Sequence, residues 1–277
     1  MAIVVRSNPQ SVFAQVRLNR TSNALGKSFE HLSTGSRINR AGDDAAGLAI
    51  STGLEHRIKA QSAAKQNALE GISLIQTAEG GVEQARSMLD RMRELAVRAS
   101  NETLSNSDRT NSNLEFQQIK AEITRIGNTT AYNGTSLLAA TTTLTFQVGM
   151  DDATNNRIEV VMTGNFITSG ANSFLSLTGD VATIAAAGSM LTKIDNALSR
   201  LNTYRSKLGS TQNRLERAIG NLDADIENST AANSGIRDVD FASETAAFTR
   251  SQILIQSGTA ILAQANSSPQ AALSLLG

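Results

Sequence analysis

The chain has 277 residues with 25 basic and 25 acidic side chains, hence no formal net charge; no basic block stands out to support nucleic-acid binding. With no cysteine there is no disulfide, no thiolate metal site and no thiol nucleophile. Hydrophobic residues reach 40% but aromatics only 4%, so the core must be built from Ala, Leu, Ile and Val, which suits narrow helix–helix seams.

The first nine residues, ending at Pro9, carry no sustained apolar run and no clear cleavage site, so they do not read as a secretory signal. From about 10 to 33, Leu18, Leu25, Phe29 and Leu32 mark one apolar helical face. Residues 34–44 follow as a glycine-bearing elbow, in which Asp43 or Asp44 is expected to cap the next helix and contact Arg37 or Arg40. That helix is expected over about 45–99, on the order of 80 Å at 1.5 Å per residue, with Gly80-Gly81 as its weakest joint. Along it Ile75, Ala78, Val82, Ala85, Leu89, Met92, Ala96 and Ala99 step by three and four.

A polar, turn-rich stretch at 100–108 leads into a second helix carrying Phe116, Ile119, Ile123 and Ile126, which ends at Asn128–Gly134. Leu144, Phe146, Val148 and Met150 then alternate with polar residues, 151–156 form a turn, and Ile158, Val160 and Met162 alternate again, the pattern of a β-hairpin. Residues 163–185 read as a loop or short strand.

From Leu191 a heptad stripe runs through Ile194, Leu198, Leu201, Leu208, Leu215, Ile219, Leu222 and Ile226, broken only by Arg205 and Gln212. It matches the stripe from Ile75 and is expected to pack on it within the chain. Near Ser229–Asp240 the character changes, and a last helix is expected over about 240–266. Its Phe241, Phe248, Ile253, Leu254, Ile255, Ile261 and Leu262 spread round more than one face, and burial on several sides implies several neighbours. No residue from Ser251 to Gly277 is charged, yet polar residues interrupt the apolar ones too often for a membrane span.

The expected fold is mainly α: a long antiparallel coiled-coil or helical-bundle hairpin with a small β-hairpin region at the end distal to the termini. The two end helices are too short and narrow to bury their faces alone, so they are expected to be disordered in the free chain and to order on assembly. An identical surface repeated head-to-tail builds an open helix of subunits when its rotation does not close. His31 and His56 have no acidic ligand set at metal spacing, and neither a nucleophile elbow nor a phosphate loop is present. No enzymatic activity and no cofactor are therefore expected.

Four stretches resemble bacterial flagellins. They are Leu32-Ser-Thr-Gly-Ser-Arg-Ile-Asn-Arg-Ala-Gly-Asp-Asp-Ala-Ala-Gly-Leu-Ala-Ile50, Leu89-Asp-Arg-Met-Arg-Glu-Leu-Ala-Val-Arg98, Ala131-Tyr-Asn-Gly134 and Ser234-Gly-Ile-Arg-Asp-Val-Asp-Phe-Ala-Ser-Glu244. The resemblance covers nearly everything except about 140–185. It implies a flagellar filament subunit for swimming motility, exported unfolded through the flagellar type III apparatus to the cell exterior. A flagellin-like hook–filament junction protein is the alternative, and a membrane-inserting translocator is a more distant one.

It further implies an inner-core helix and elbow at 1–45, the N-terminal part of a rod at 46–139 and a short hairpin in place of variable outer domains at 140–185. The rod's C-terminal helix falls at 186–232 and the second inner-core helix at 233–277. The implied partners are copies of the chain itself, an export chaperone, the filament cap and hook-junction proteins. Arg91, Leu95 and Glu122 match a stretch where neighbouring protofilaments touch in related flagellins and which the vertebrate flagellin-sensing Toll-like receptor recognises. A plain solvated face is the other reading of Arg91, Arg93, Glu94 and Arg98. Leu95 lies off the heptad stripe and is expected to be exposed.

Overall fold

The computed structural model describes residues 8–162, 165–166 and 173–274, the side chains of 268–274 excepted. In chain order the elements are α1 (Pro9–Thr34), α2 (Ala45–Ala99), α3 (Asn106–Thr129), β1 (Ala131–Tyr132), β2 (Thr135–Ser136), β3 (Thr142–Gln147), β4 (Arg157–Met162), α4 (Ile184–Arg237) and α5 (Phe241–Ser274). Two compact units result, a larger one over 57–227 and a smaller one formed by 1–56 with 228–277; α2 and α4 contribute residues to both.

The larger unit is a helical bundle with its apolar residues in heptad rails. On α2 the buried positions are Ala64, Ala68, Ile75, Ala78, Val82, Ala85, Leu89, Met92, Ala96 and Ala99, a 3.5-residue period that keeps one seam toward the neighbouring helices. Helix α3 adds Phe116, Ile123 and Ile126. Cross-helix ion pairs fix α4 antiparallel to α2: Arg93–Asp195 at 2.8 Å, Arg205–Glu79 at 3.2 Å and Lys65–Asp223 at 2.6 Å. These pairs are solvent-exposed, so they set register more than they stabilise.

On α4, Ile194, Leu201, Leu208, Leu215 and Leu222 are buried as one rail. The other rail differs from expectation by one residue. Met190, Ala197 and Tyr204 are buried, while Leu191, Leu198, Ile219 and Ile226 are half-buried on its flank. Helix α4 faces more than one neighbour, so its apolar surface is broader than a two-helix stripe. Arg205, which seemed to break the stripe, sits on the rim and also reaches Glu83 at 2.7 Å.

Strands β3 and β4 pair antiparallel with Leu144 opposite Val160 and Phe146 opposite Ile158. Ile158, Val160 and Met162 are buried, the alternation of a sheet with one covered face. Gly71 on α2 makes room for it: a Cβ there would stand 3.1 Å from Leu215 Cδ1 and 3.3 Å from the Phe146 ring. The hairpin therefore lies on the flank of α2 and α4. Its tip stands beside Gln61 and Asn221, at the end of this unit that holds residues 57 and 227. Its apolar face needs that helical flank to cover it.

Asn133 (φ 47°) and Gly134 (φ 78°) both adopt left-handed backbone, which gives the two-residue turn between β1 and β2 the twist that a tight hairpin needs. Sequence reading took this Asn-Gly only as a helix end. Nor is Gly81 a weak joint. The chain after α3 passes so close that a Cβ at Gly81 would meet Thr130 Oγ1 at 2.7 Å and Leu138 Cδ1 at 2.9 Å, whereas Gly80 faces open space. Within 163–185, residues 163, 164 and 167–172 lie outside the described residues; Phe166, Leu175, Leu177 and Val181 are buried without regular structure. Phe166 and Phe174 stack at 5.6 Å, and Tyr204 meets Phe174 edge-on at 5.9 Å. The Tyr204 hydroxyl donates to Met162 Sδ at 3.2 Å, and burial pushes its pKa up to about 12.

Arg109 is 3% exposed yet faces no carboxylate among the described ion pairs. Its guanidinium donates to the carbonyls of Ala99, Asn101 and Leu104 at 3.3, 3.4 and 2.7 Å, which ties the α2–α3 turn shut. Nothing in the periodicity singled it out.

Candidate functional site

The smaller unit joins the two ends of the chain. Asn8 caps α1 by accepting from Ser11 N at 3.1 Å, Pro9 starts the helix, and Gly35 ends it in left-handed conformation (φ 71°). Asp240 caps α5, accepting from Ala242 N at 2.9 Å. The two helices run antiparallel and touch along their length. Asn8 Nδ2 donates to Ala265 O at 2.7 Å, Gly258 meets Leu18, and His31 Nδ1 stands 3.5 Å from Glu244 Oε2.

The contact has its own heptad rhythm. The less exposed residues of α1 are Ser11, Ala14, Leu18, Thr21, Leu25, Ser28 and Leu32, and those of α5 are Glu244, Phe248, Ser251, Ile255, Gly258, Leu262 and Ala265. Small and polar residues fill half of these places, so the seam is thin. Of the eight apolar residues expected to drive assembly, Leu18, Leu25, Leu32, Phe248, Ile255 and Leu262 lie half-buried in this intramolecular seam. Only Phe29 (63% exposed) and Phe241 (56%) face outward.

Ile253, Leu254 and Ile261, which the sequence places on further faces of the last helix, also point outward, and the structure adds Val12, Phe13 and Val16 on α1, with Phe13 71% exposed. Each falls between the steps of the heptad rail, and which steps form the rail depends on where the partner helix lies. A groove of about 860 Å³ runs between the helices past Phe13, Leu18, Leu254 and Ile261, and a hollow of about 550 Å³ lies on α5 at Ala242, Thr245, Ala246 and Thr249. A monomer rarely shows so many large apolar side chains on two short helices without using them. No described helix is long and apolar enough to cross a membrane.

The elbow between α1 and α2 is built by backbone as much as by charge. Asp44 caps α2 by accepting from Gly47 N at 2.8 Å, while Asp43 accepts from Asn39 N and Arg40 N and pairs with Lys27 at 3.0 Å. The Lys27 hydrogen bond, with the Arg40 and Asn39 amides, holds the Asp43 carboxyl below its ordinary value. Neither aspartate meets the arginine side chains that sequence reading offered it. Arg37 donates to Ile236 O at 2.8 Å, and Arg40 pairs with Glu30 at 3.0 Å. The Arg37 and Val239 amides add backbone bonds to Arg237 O and Gly35 O at 2.6 and 3.0 Å, closing a bridge between Ser36 and Asp238. The turn before α5 is thus confined to 238–240. Helix α4 runs on through Ser229–Arg237, where the polar composition had suggested a break, because that stretch holds no proline and Ser229 is buried.

In the larger unit, Arg91 and Glu122 are exposed but Leu95 is not: at 3% exposure it belongs to the core cluster with Phe116 and Ile123. Its expected exposure fails because α3 covers that side of α2, as the Arg91–Glu115 pair at 2.8 Å between the two helices indicates. Arg91 also holds Glu94 at 2.8 Å, and Glu122 pairs with Arg125 at 2.6 Å, which keeps the Glu122 carboxyl below its ordinary value.

Comparison with known proteins bears on the whole chain. Residues 5–143 match the bacterial flagellin N-terminal helical region and residues 191–276 the bacterial flagellin C-terminal helical region. A flagellin of Halalkalibacterium halodurans is 45% identical over 275 residues, covering 99% of this chain and 100% of its own. That of Bacillus subtilis is 37% identical, covering 94% and 95%. Among solved structures, a flagellar hook-associated protein of Vibrio parahaemolyticus aligns with a TM-score of 0.61 at 15% identity over 71% of this chain and all of its own, a likeness of fold alone. Matched at both helical ends and related along its full length to flagellins of other bacteria, the chain belongs to the bacterial flagellin family.

Proposed function

We propose that copies of this chain polymerise through α1 and α5 into the filament of a bacterial flagellum, a structural role in swimming motility. The observation that carries this is the outward apolar face of the paired end helices, with Val12, Phe13, Phe29, Phe241, Ile253, Leu254 and Ile261 all exposed on the single chain. Burying a side chain such as Phe13 between copies is worth roughly 1.5–3 kcal/mol, and a repeated contact of this kind grows without limit when its rotation does not close. Helix α5, which carries no charge from Ser251 onward, lies innermost, its Gln, Ser and Asn residues toward the lumen, with α1 just outside it. The inner core then comprises 1–45 and 233–277, the surrounding rod 46–139 and 186–232, and 140–185 replaces an outer domain.

Export without a cleaved signal, a chaperone on the C-terminal segment and contacts with cap and junction proteins follow from the same reading. So does recognition by the flagellin-sensing Toll-like receptor at Arg91 and Glu122, to which buried Leu95 contributes through packing.

The test is salt-induced polymerisation of the purified chain, followed by light scattering and electron microscopy. Wild type should extend from short seeds without limit, which also separates a filament subunit from a junction protein. The variant Phe13→Asp should stay monomeric with unchanged helical content; polymerisation of that variant at the wild-type critical concentration would refute the role of this face.

A further inference from the structure

The sequence holds a single Asn-Gly pair, Asn133-Gly134, and it forms the turn between β1 and β2. Both residues are exposed, and a Cβ at Gly134 would meet nothing within 4 Å. The ladder pairs Tyr132 with Thr135 and leaves the peptide between them outside it. Neither the Asn133 carboxamide nor the Gly134 N–H makes a hydrogen bond among the described residues. An electrophilic carbon and an unengaged backbone nitrogen therefore stand in adjacent residues, close enough to join in a small ring.

The turn conformation decides whether they can meet. Positive φ at both residues, 47° and 78°, is the type I′ pattern. Rotating the peptide plane between them gives type II′, in which φ stays positive at the first residue and becomes negative at the second. That rotation carries the Gly134 nitrogen toward Asn133 Cγ. Both forms suit a two-residue hairpin, so β1 and β2 stay paired while it happens. Only glycine at 134 takes either sign of φ at little cost.

The other asparagines supply the contrast. Asn111 in α3 and Asn228 and Asn233 in α4 each precede a serine, a small residue that hinders ring closure little. Inside a helix, however, the following N–H is bonded four residues back, and no such rotation is open to it.

We propose that Asn133 is a site of spontaneous deamidation in the folded chain. Gly134 N attacks Asn133 Cγ, and the side-chain nitrogen leaves as ammonia, taking the proton from Gly134 N. Water then opens the cyclic imide at one of its two carbonyls. One opening leaves aspartate; the other leaves isoaspartate, with the main chain rerouted through the side-chain carbon. The balance is one water consumed and one ammonia released, with no change of oxidation state. Either product brings a new negative charge to the turn. Aspartate tolerates the left-handed position and keeps the hairpin. Isoaspartate adds a carbon to a turn whose length sets the register, so the bond from Leu137 N to Thr130 O at 3.0 Å is lost with it.

The test incubates the full-length monomer at mildly alkaline pH, folded and in urea. Acidic digestion and mass spectrometry locate each conversion of amide to acid, and a protein isoaspartate methyltransferase reports the rearranged product. Folded chain should react at Asn133 within about tenfold of the unfolded rate, because the two turn types lie close in free energy. Asn111, Asn228 and Asn233 should react only in urea. Asn133→Gln should remove the methylation of folded chain, and amide exchange at Leu137 should quicken in the isoaspartate fraction alone. An Asn133 that stays intact in the folded chain after the unfolded chain has reacted would overturn the proposal, since the turn would then protect the amide. So would methylation that persists in Asn133→Gln.

Discussion

Replacing Arg109 by Met removes a buried guanidinium but keeps the apolar stem, so the effect reports the three backbone contacts alone. The bond to Leu104 O at 2.7 Å is a full charge-assisted one, worth roughly 1.5–3 kcal/mol. Those to Ala99 O and Asn101 O at 3.3 and 3.4 Å are long, and about 0.5 kcal/mol each is a fair upper value. Against this, the variant no longer buries a charge, which offsets part of the loss. A net destabilisation of about 2–3 kcal/mol is expected. With an m-value of about 2 kcal/mol/M in urea, the midpoint should fall by about 1–1.5 M. Urea titration of the monomer by far-UV circular dichroism gives the midpoint, and amide exchange at 100–105 shows whether the turn opens first. A midpoint shift below about 0.3 M, or unchanged protection in that turn, would refute the assignment of Arg109 as its fastener.

The adjacent glycines of α2 should respond with opposite signs. Gly80→Ala meets nothing within 4 Å and should stabilise by about 1 kcal/mol through helix propensity, whereas Gly81→Val collides with Thr130 and Leu138 and should cost about 2 kcal/mol in the same urea titration. Because the Asp43 carboxyl is held below its ordinary 3.8, its contribution to the elbow is present above that value and is lost only as pH falls through the lowered one. Exchange protection of the Asn39 and Arg40 amides should follow that course, and Asp43→Asn should abolish the pH dependence. For Tyr204 the sign is reversed. Its neutral form is favoured in the folded state, so stability is intact below pH 10.0 and declines as pH rises toward about 12, where phenolate absorbance should appear together with loss of helix. Phenolate forming near pH 10 in a still-helical Tyr132→Phe variant would contradict that burial.

Helix existence was readable from sequence because few competing signals stand in the way. The 45–99 helix, free of proline and striped from Ile75 to Ala99, appears as α2 over Ala45–Ala99. The alternation from Leu144 to Met162 appears as β3 and β4. One-dimensional periodicity finds a rail but not its width. Tyr204 and Met190 went unnoticed because a helix with several neighbours buries more than one stripe. Leu95 was misplaced for the same reason, since the face it occupies depends on where α3 lies.

Sequence alone determined that this is a mainly helical chain of heptad rails with an uncharged end and a flagellin's signatures, since period, proline placement and charge are properties of the residues themselves. Tertiary structure alone decided which apolar residues remain outside. The α1–α5 seam takes Leu18 and Leu262 and leaves out Phe13 and Ile261, and the flank of α2 and α4 takes the hairpin and leaves a polar cleft at its tip. Exposure is a relation between elements distant in sequence, and no local pattern encodes it.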